Sequence, residues 1–368
     1  MKRFRKIYMV VALSFGLALG ITGTVIAAEY TIKLHYEMPS TAPLATYGFE
    51  PWAKDVEKVT NGRVKVQTFP GDTLFKTKTD AVEAIKAGIA DIGFMYAWAF
   101  APQFDLTDVL SVPFVAPNAE VASRATWKIY EKSPEVREQW KGVKLLAVWT
   151  TDPYVFITRD KHIKTLEDFA GMKMRVTGGM ATKMMKLLGG TPMTIPMPQN
   201  YENLQKGVID GMAAPAEAIL GFRLYEVVKY YTLVPTTLVT QQMIMNLNSW
   251  NRLPKDIQEA IMGLCGDHAA IRFGGGCFDR AWTILPKRVK EANRPMISYT
   301  PPQDEINRWI EKAGIEKAGK PLWGEWVDTM VSRGYKNAAE IQQEAIRLVK
   351  EISQGKKDNW KEMFPFPE

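Results

Sequence analysis

Cysteine and histidine are scarce in this chain. Its 368 residues hold two cysteines, Cys265 and Cys277, and three histidines, His35, His162 and His268. No close Cys/His/acid spacing joins them, so no metal site is expected. The segment around the two cysteines has helical periodicity that sets them far apart along it, which favours free thiols over a disulfide. Familiar catalytic and cofactor signatures are also missing. There is no Gly-x-Ser-x-Gly elbow, no phosphate-cradling Gly-x-x-x-x-Gly-Lys-Ser/Thr and no dinucleotide Gly-x-Gly-x-x-Gly after a strand. Gly274-Gly275-Gly276 falls inside a helical stretch, where it is expected to weaken or bend the helix and makes a poor phosphate loop. No catalytic residue and no cofactor are therefore expected. Strong charge is lacking too. Four of the seven excess positive charges are Lys2, Arg3, Arg5 and Lys6, so the remainder carries a net +3. With no dense basic stripe and no interleaved aromatics, nucleic acid is not an expected partner.

Long apolar runs are confined to the start. A basic patch, the apolar segment 7–21 and a run of small residues ending at Ala27-Ala28 have the layout of a secretory signal peptide over residues 1–28. The apolar core is shorter than the roughly 20 residues of a membrane-spanning helix. Cleavage after Ala27 or Ala28 would leave an exported chain beginning near Glu29, and with no cysteine beside the cut a lipid anchor is not expected. The remainder has room for two domains of ordinary size.

Along that remainder, residues 29–36 alternate polar and apolar side chains, as a half-buried strand does. Phe49, Trp52, Ala53 and Val56 recur at helical spacing over 46–60. A strand over 63–69, a helix over 79–87 and a strand over 89–95 follow. Strands alternating with helices predict an α/β fold with a parallel or mixed sheet. The order returns later: Gly171-Met-Lys-Met-Arg-Val-Thr177 parallels Gly62-Arg-Val-Lys-Val-Gln-Thr68, and Asn203-Leu-Gln-Lys-Gly-Val-Ile-Asp210 parallels Ala84-Ile-Lys-Ala-Gly-Ile-Ala-Asp91. Two similar lobes are expected. Helical patterns open at Pro254 and continue over 282–292, 304–313, 321–334 and 338–353, before a polar tail that ends in Phe-Pro-Phe-Pro. The methionines between 172 and 197 read as core, since Met fills irregular packing.

Arg175 stands out. It sits near the end of a strand, before a Gly-Gly break into a helix, and strand ends facing a crevice are where open α/β sheets take ligands. A guanidinium there can hold a carboxylate through two parallel hydrogen bonds.

The ordered set of short motifs resembles one family: the solute-binding subunits of tripartite ATP-independent periplasmic (TRAP) transporters of the dicarboxylate type. The pieces are Ile163-Lys-Thr-Leu-Glu-Asp-Phe-Ala-Gly-Met-Lys-Met-Arg175, Gly189-Gly-Thr-Pro-Met193, Leu204-Gln-Lys-Gly-Val-Ile-Asp-Gly211 and Met245-Asn-Leu-Asn-Ser-Trp-Asn-Arg-Leu-Pro254, with Gly62-Arg-Val-Lys-Val, Gly88-Ile-Ala-Asp91 and Val112-Pro-Phe114 upstream. The resemblance implies a two-lobed α/β fold of the periplasmic binding protein class II type, with hinge strands and a long bridging helix. Lobe I would comprise 29–152 plus 241–281 and lobe II 153–240 plus 282–340, with 341–368 a C-terminal helix and tail. It implies a periplasmic, monomeric protein that binds a small organic acid and delivers it to membrane permease subunits, with Arg175 as the carboxylate clamp. The same trap would also serve a sensor docking on a receptor kinase. An exported hydrolase is the remaining rival, for which the sequence offers no nucleophile and base.

The sialic-acid-binding members carry a further Arg and an Asn where this chain has Val155 and Ala214. That difference argues against sialic acid, whose polar groups would lie unpaired against Val and Ala. What is present instead is aromatic: Tyr96, Trp98 and Phe100 after the third strand, and Trp149, Tyr154 and Phe156 at the crossing into the second lobe. An apolar pocket with few polar anchors suits an aromatic or oxo monocarboxylate. Glu217, Thr240, Gln241 and Gln242 are candidate hydrogen-bonding groups. His35, Tyr36 and Glu37 are the first lobe's candidates, His35 the weakest because a strand-end histidine is more often satisfied internally.

Overall fold

The structure, a computed structural model, describes residues 28–313, 322–355 and 359–364. The expected signal peptide, apart from Ala28, lies outside the described residues, as do the last four residues of the tail.

Among the described residues, eleven strands form two sheets. In chain order they are β1 (Tyr30–His35), β2 (Val64–Phe69), β3 (Ile92–Tyr96), β4 (Val143–Thr150), β5 (Val155–Thr158), β6 (Lys173–Val176), β7 (Thr191–Thr194), β8 (Gly211–Ala214), β9 (Tyr230–Thr232), β10 (Thr240–Asn246) and β11 (Ile297–Tyr299). The first sheet has the order β2-β1-β3-β10-β4 and the second β11-β9-β5-β8-β6-β7. In each sheet three parallel strands stand beside one antiparallel strand that has crossed from the other half of the chain, β10 in the first and β5 in the second. The two-lobed α/β architecture is therefore present.

The internal repeat is real, but its register differs from the sequence reading. Asp91 and Asp210 each follow a left-handed glycine, Gly88 and Gly207. Each carboxylate accepts a backbone N–H from the middle one of the three parallel strands of its sheet: Lys33 of β1 at 2.8 Å and Lys173 of β6 at 2.7 Å. The partner of β6 is therefore β1, whereas the motif similarity pairs β6 with β2. Side-chain alternation is the same for any half-buried parallel strand, so it does not distinguish the central strand from its neighbour.

The two crossings lie side by side. Thr151 N–H donates to the Val239 carbonyl at 3.0 Å, Tyr154 N–H to Thr237 at 2.8 Å and Thr236 N–H to Tyr154 at 3.0 Å. A third connection is helical and unbroken over 266–291. Phe273, Cys277 and Phe278 pack into the core of the first sheet; Ala281, Leu285 and Val289 pack under the second. This is the expected bridging helix. Both cysteines are buried and free.

The glycine triplet does not break this helix. A widened π-type segment, Ile271–Asp279, carries it past the Ala119–Lys132 helix. A Cβ on Gly274 would stand 2.8 Å from the Ala119 carbonyl oxygen. Glycine is there because two helix backbones approach closely, which outweighs its poor helix propensity.

The C-terminal elements depart from expectation in a similar way. Leu322–Ser332, expected with the second lobe, gives Leu322 to the second lobe's core, but Trp326 and Met330 pack beside Leu106, Val109 and Leu110 of the first. The supposedly polar tail is anchored. Asn359 Nδ2 donates to Glu120 Oε1 at 2.6 Å, and the Phe364 ring lies 4.3 Å from the buried Arg272 guanidinium. An aromatic ring covering a buried cation recovers part of the desolvation cost.

Candidate functional site

The carboxyl ends of the parallel strands in both sheets point into one cavity of about 610 Å³. From the first sheet come Glu37 and Met38 after β1, Asp72 after β2, and Tyr96 and Trp98 at and after β3. From the second come Arg175 and Thr177 at and after β6, residues 194–198 after β7, and Pro215 and Glu217 after β8. The crossings add Thr151, Tyr154, Val239 and Gln241. This is where open α/β sheets bind ligands.

Arg175 reaches the cavity through the pleat. Met174 and Val176 bury into the second lobe's core, so Arg175 takes the opposite face at the last turn of the strand. Its side chain is 7% exposed. Its Nε donates to the Ile195 carbonyl at 3.1 Å, which fixes the plane of the guanidinium. Among the described residues it has no carboxylate partner. Burial pulls its pKa down while the Tyr154 and Tyr96 hydroxyls oppose the shift; an arginine remains charged nonetheless. A cation buried and oriented in this way has the chemistry to hold an anion.

Of the residues singled out in the sequence, Tyr96, Tyr154, Trp98, Glu37, Glu217 and Gln241 are brought together with Arg175 around the cavity. Tyr96 donates its hydroxyl to Glu37, which also pairs with Lys78 at 3.3 Å, and the Lys78 ammonium lies 5.4 Å from the Tyr96 ring. Glu217 Oε1 accepts the Leu44 N–H from the other lobe at 3.4 Å. Burial raises its pKa to about 7; that N–H opposes the shift and the Glu37 charge adds to it. Gln241 is held by the buried indole of Trp149, whose Nε1 donates to its Oε1 at 2.8 Å. Trp149 thus supports the site and does not line it.

Other expectations fail. His35 is buried beneath the cavity wall. Its ring is 3.8 Å from that of Phe75, and its Nε2 is 3.3 Å from Thr77 Oγ1 and 3.5 Å from Asp72 Oδ1. It fixes the loop after β2 and is not a lining residue. Phe156 packs into the second lobe's core and Phe100 against the first lobe's. Gln242 and Thr240 are buried on β10 away from the cavity. Val155 and Ala214 face the core with Ile157, Leu204 and Ile209 and not the cavity, so they do not discriminate against sialic acid. The lining is mixed, with Ile195, Pro196, Met197, Pro198 and Phe222 apolar beside the polar Thr151, Thr177, Thr194, Glu217 and Gln241. Met184 and Met185 are core as expected, but Met197 lines the cavity.

Lys78 and the segment 194–198 were missed. The prolines at 196 and 198 mark a loop, and correct pairing of β7 with β2 would have placed it opposite Asp72 at the cavity mouth.

Asp108 lies just behind the cavity beside Thr177, Gly178 and Gly179. Burial pushes its pKa up to about 6, partly offset by the hydroxyls of Thr240 and Ser111. A raised carboxyl pKa means the folded state binds the extra proton. Its favourable contribution is complete below the unfolded pKa near 4 and is lost as pH rises through 6. Asp108→Asn is therefore expected to raise stability at pH 8 by about 1–2 kcal/mol and to change little at pH 4, read from thermal melts at both values.

The sequence profile of the bacterial extracellular solute-binding protein family 7 matches residues 35–312. That span is most of the chain, and the chain belongs to this family, the solute-binding subunits of TRAP transporters. A TRAP solute-binding protein from Rhodoferax ferrireducens T118, solved with copurified benzoate, superposes with a TM-score of 0.79 at 26% identity, covering 88% of this chain and 98% of that one. A second, from Bordetella bronchiseptica with bound (R)- and (S)-mandelate, gives 0.76 at 26% identity over 88% and 99%. The C4-dicarboxylate-binding periplasmic protein DctP of Rhodobacter capsulatus is 25% identical over 247 residues, 67% of this chain and 73% of that protein. Family members are extracytoplasmic receptors for small organic acids that work with membrane components. Among the described residues no helix is long and apolar enough to cross a membrane.

Proposed function

We propose that this chain is the periplasmic receptor of a TRAP transporter for an aromatic or oxo monocarboxylate. The observation that carries this reading is Arg175: a buried guanidinium, oriented by the Ile195 carbonyl and without a counter-ion among the described residues, in a cavity whose wall includes Tyr96, Trp98, Tyr154, Met197 and Phe222. The ligand's carboxylate takes the two free guanidinium nitrogens, and its apolar body lies against Tyr96, Trp98, Tyr154, Met197 and Phe222. Aromatic acids bound by the Rhodoferax and Bordetella proteins support this class.

Because the cavity wall is shared between the two sheets, ligand contacts favour the closed arrangement of the lobes, which then docks on the permease subunits. The paired crossings support a division into 29–152 plus 241–281 and 153–240 plus 282–313, with 322–332 packed across both lobes. The ligand leaves unchanged, and the receptor acts as a monomer.

The test is to purify the mature protein, extract retained small molecules under denaturing conditions and identify them by mass spectrometry. An aromatic or oxo monocarboxylate is expected. A neutral sugar or a peptide as the retained ligand would overturn the proposal.

A further inference from the structure

The charges in the cavity wall do not cancel pairwise. Five charged side chains line it: Glu37, Asp72, Lys78, Arg175 and Glu217. Lys78 is paired with Glu37 at 3.3 Å. Asp72 accepts the Thr77 hydroxyl at 2.7 Å and faces His35 at 3.5 Å. Arg175 and Glu217 remain. They have opposite charges, line one cavity and form no ion pair with each other or with any other described residue. If the cavity held only a carboxylate, Arg175 alone would answer it, and Glu217 would be a half-buried acid with nothing to do but repel.

Glu217 has one weak partner. Its Oε1 receives the Leu44 N–H at 3.4 Å, and its Oε2 has no partner among the described residues. The side chain stands in the first turn of the Ala216–Gly221 helix and meets Leu44 of the opposite lobe. Burial holds its carboxyl up to about 7, the behaviour of an acid short of donors. An acceptor in such a place gains most from a donor that the ligand brings. A neutral hydroxyl fits better than an ammonium, because an ammonium would have to shed its water among Pro, Met, Tyr and Phe side chains.

We propose that Glu217 selects the end of the ligand away from its carboxylate: it accepts a hydrogen bond from a hydroxyl there and repels a second carboxylate. The preferred ligand is thus a hydroxylated aryl monocarboxylate, clamped at one end by Arg175 and read at the other by Glu217. This rests on the Arg175 reading above.

Titration calorimetry with benzoate, 3- and 4-hydroxybenzoate, and the matching 3- and 4-carboxybenzoates tests it. The wild-type protein is expected to bind at least one hydroxybenzoate about tenfold tighter than benzoate, and both dicarboxylates more weakly than benzoate. Glu217→Leu removes acceptor and charge, so the ratio of hydroxybenzoate to benzoate affinity should collapse to about one. Glu217→Gln keeps an acceptor without the charge, so the hydroxyl preference should persist while the dicarboxylates gain. Equal weakening of every acid by Glu217→Leu would make Glu217 a latch between the lobes and overturn the proposal. Absence of hydroxyl preference in the wild type would also overturn it, leaving Arg175 as clamp if Arg175→Ala still abolishes benzoate binding. Failure of all the aryl acids to bind overturns the receptor reading and this inference together.

Discussion

Arg175→Ala is expected to abolish measurable binding of aryl monocarboxylates while leaving the thermal melt of the ligand-free protein close to wild type. Charge-assisted hydrogen bonds contribute about 1.5–3 kcal/mol each, and Arg175 has two nitrogens free for the ligand. Losing both costs about 3–5 kcal/mol, a weakening of several hundredfold or more. The fold is expected to survive because Arg175 has one structural bond, to the Ile195 carbonyl, and no ion pair among the described residues. Arg175→Lys is informative beside it. Lysine keeps the charge and loses the planar fork, so affinity should fall by about tenfold and not vanish. Calorimetric titration of both variants with benzoate reads the difference. Affinity within a few-fold of wild type for Arg175→Ala would remove Arg175 from the site.

The second large effect is structural. Gly274→Leu is expected to destabilise the protein by about 3 kcal/mol or more. Any Cβ at 274 meets the Ala119 carbonyl at 2.8 Å and also crowds Ser123 Oγ. Ser123 cannot turn aside freely, since its Oγ accepts the Thr150 N–H at 2.9 Å at the end of β4. The bridging helix would have to move off the 119–132 helix, beside the crossing that joins the lobes. Gly276→Ala is the control, with its nearest neighbour, Phe364 Cδ2, at 3.5 Å. There the better helix propensity of alanine should make the change neutral or stabilising by up to about 1 kcal/mol. Denaturant melts separate the two outcomes, and equal stability for both variants would contradict the close-approach account.

Much of the site was legible in the sequence because strand ends are legible. Arg175, Tyr96, Trp98, Tyr154, Glu37, Glu217 and Gln241 each fall at or just beyond the end of a strand or crossing, and the fold brings all such ends to one cavity. What failed was resolution of one residue along a strand. His35 and Glu37 differ by two positions, yet one is under the wall and the other on it, because the chain turns out of the sheet between them. Tyr154 and Val155 differ by one, and the pleat sends them to opposite faces. Lys78 escaped because it lies on a loop whose path is set by the His35–Asp72–Thr77 contacts, which no local pattern encodes. The glycine triplet does lie in a distorted stretch of helix, but the reason for it was not legible. Propensity describes a helix alone in water, while Gly274 answers a neighbouring backbone 155 positions earlier in the chain.

The central claim is that a monocarboxylate lies in the cavity between the lobes with its carboxylate on Arg175. A crystal structure of the mature protein grown with 3-hydroxybenzoate tests it most directly. The account predicts the carboxylate within hydrogen-bonding distance of both terminal guanidinium nitrogens and the ring between Tyr96, Tyr154 and Met197. A carboxylate held by Lys78, or an empty cavity with the acid bound elsewhere, would contradict it.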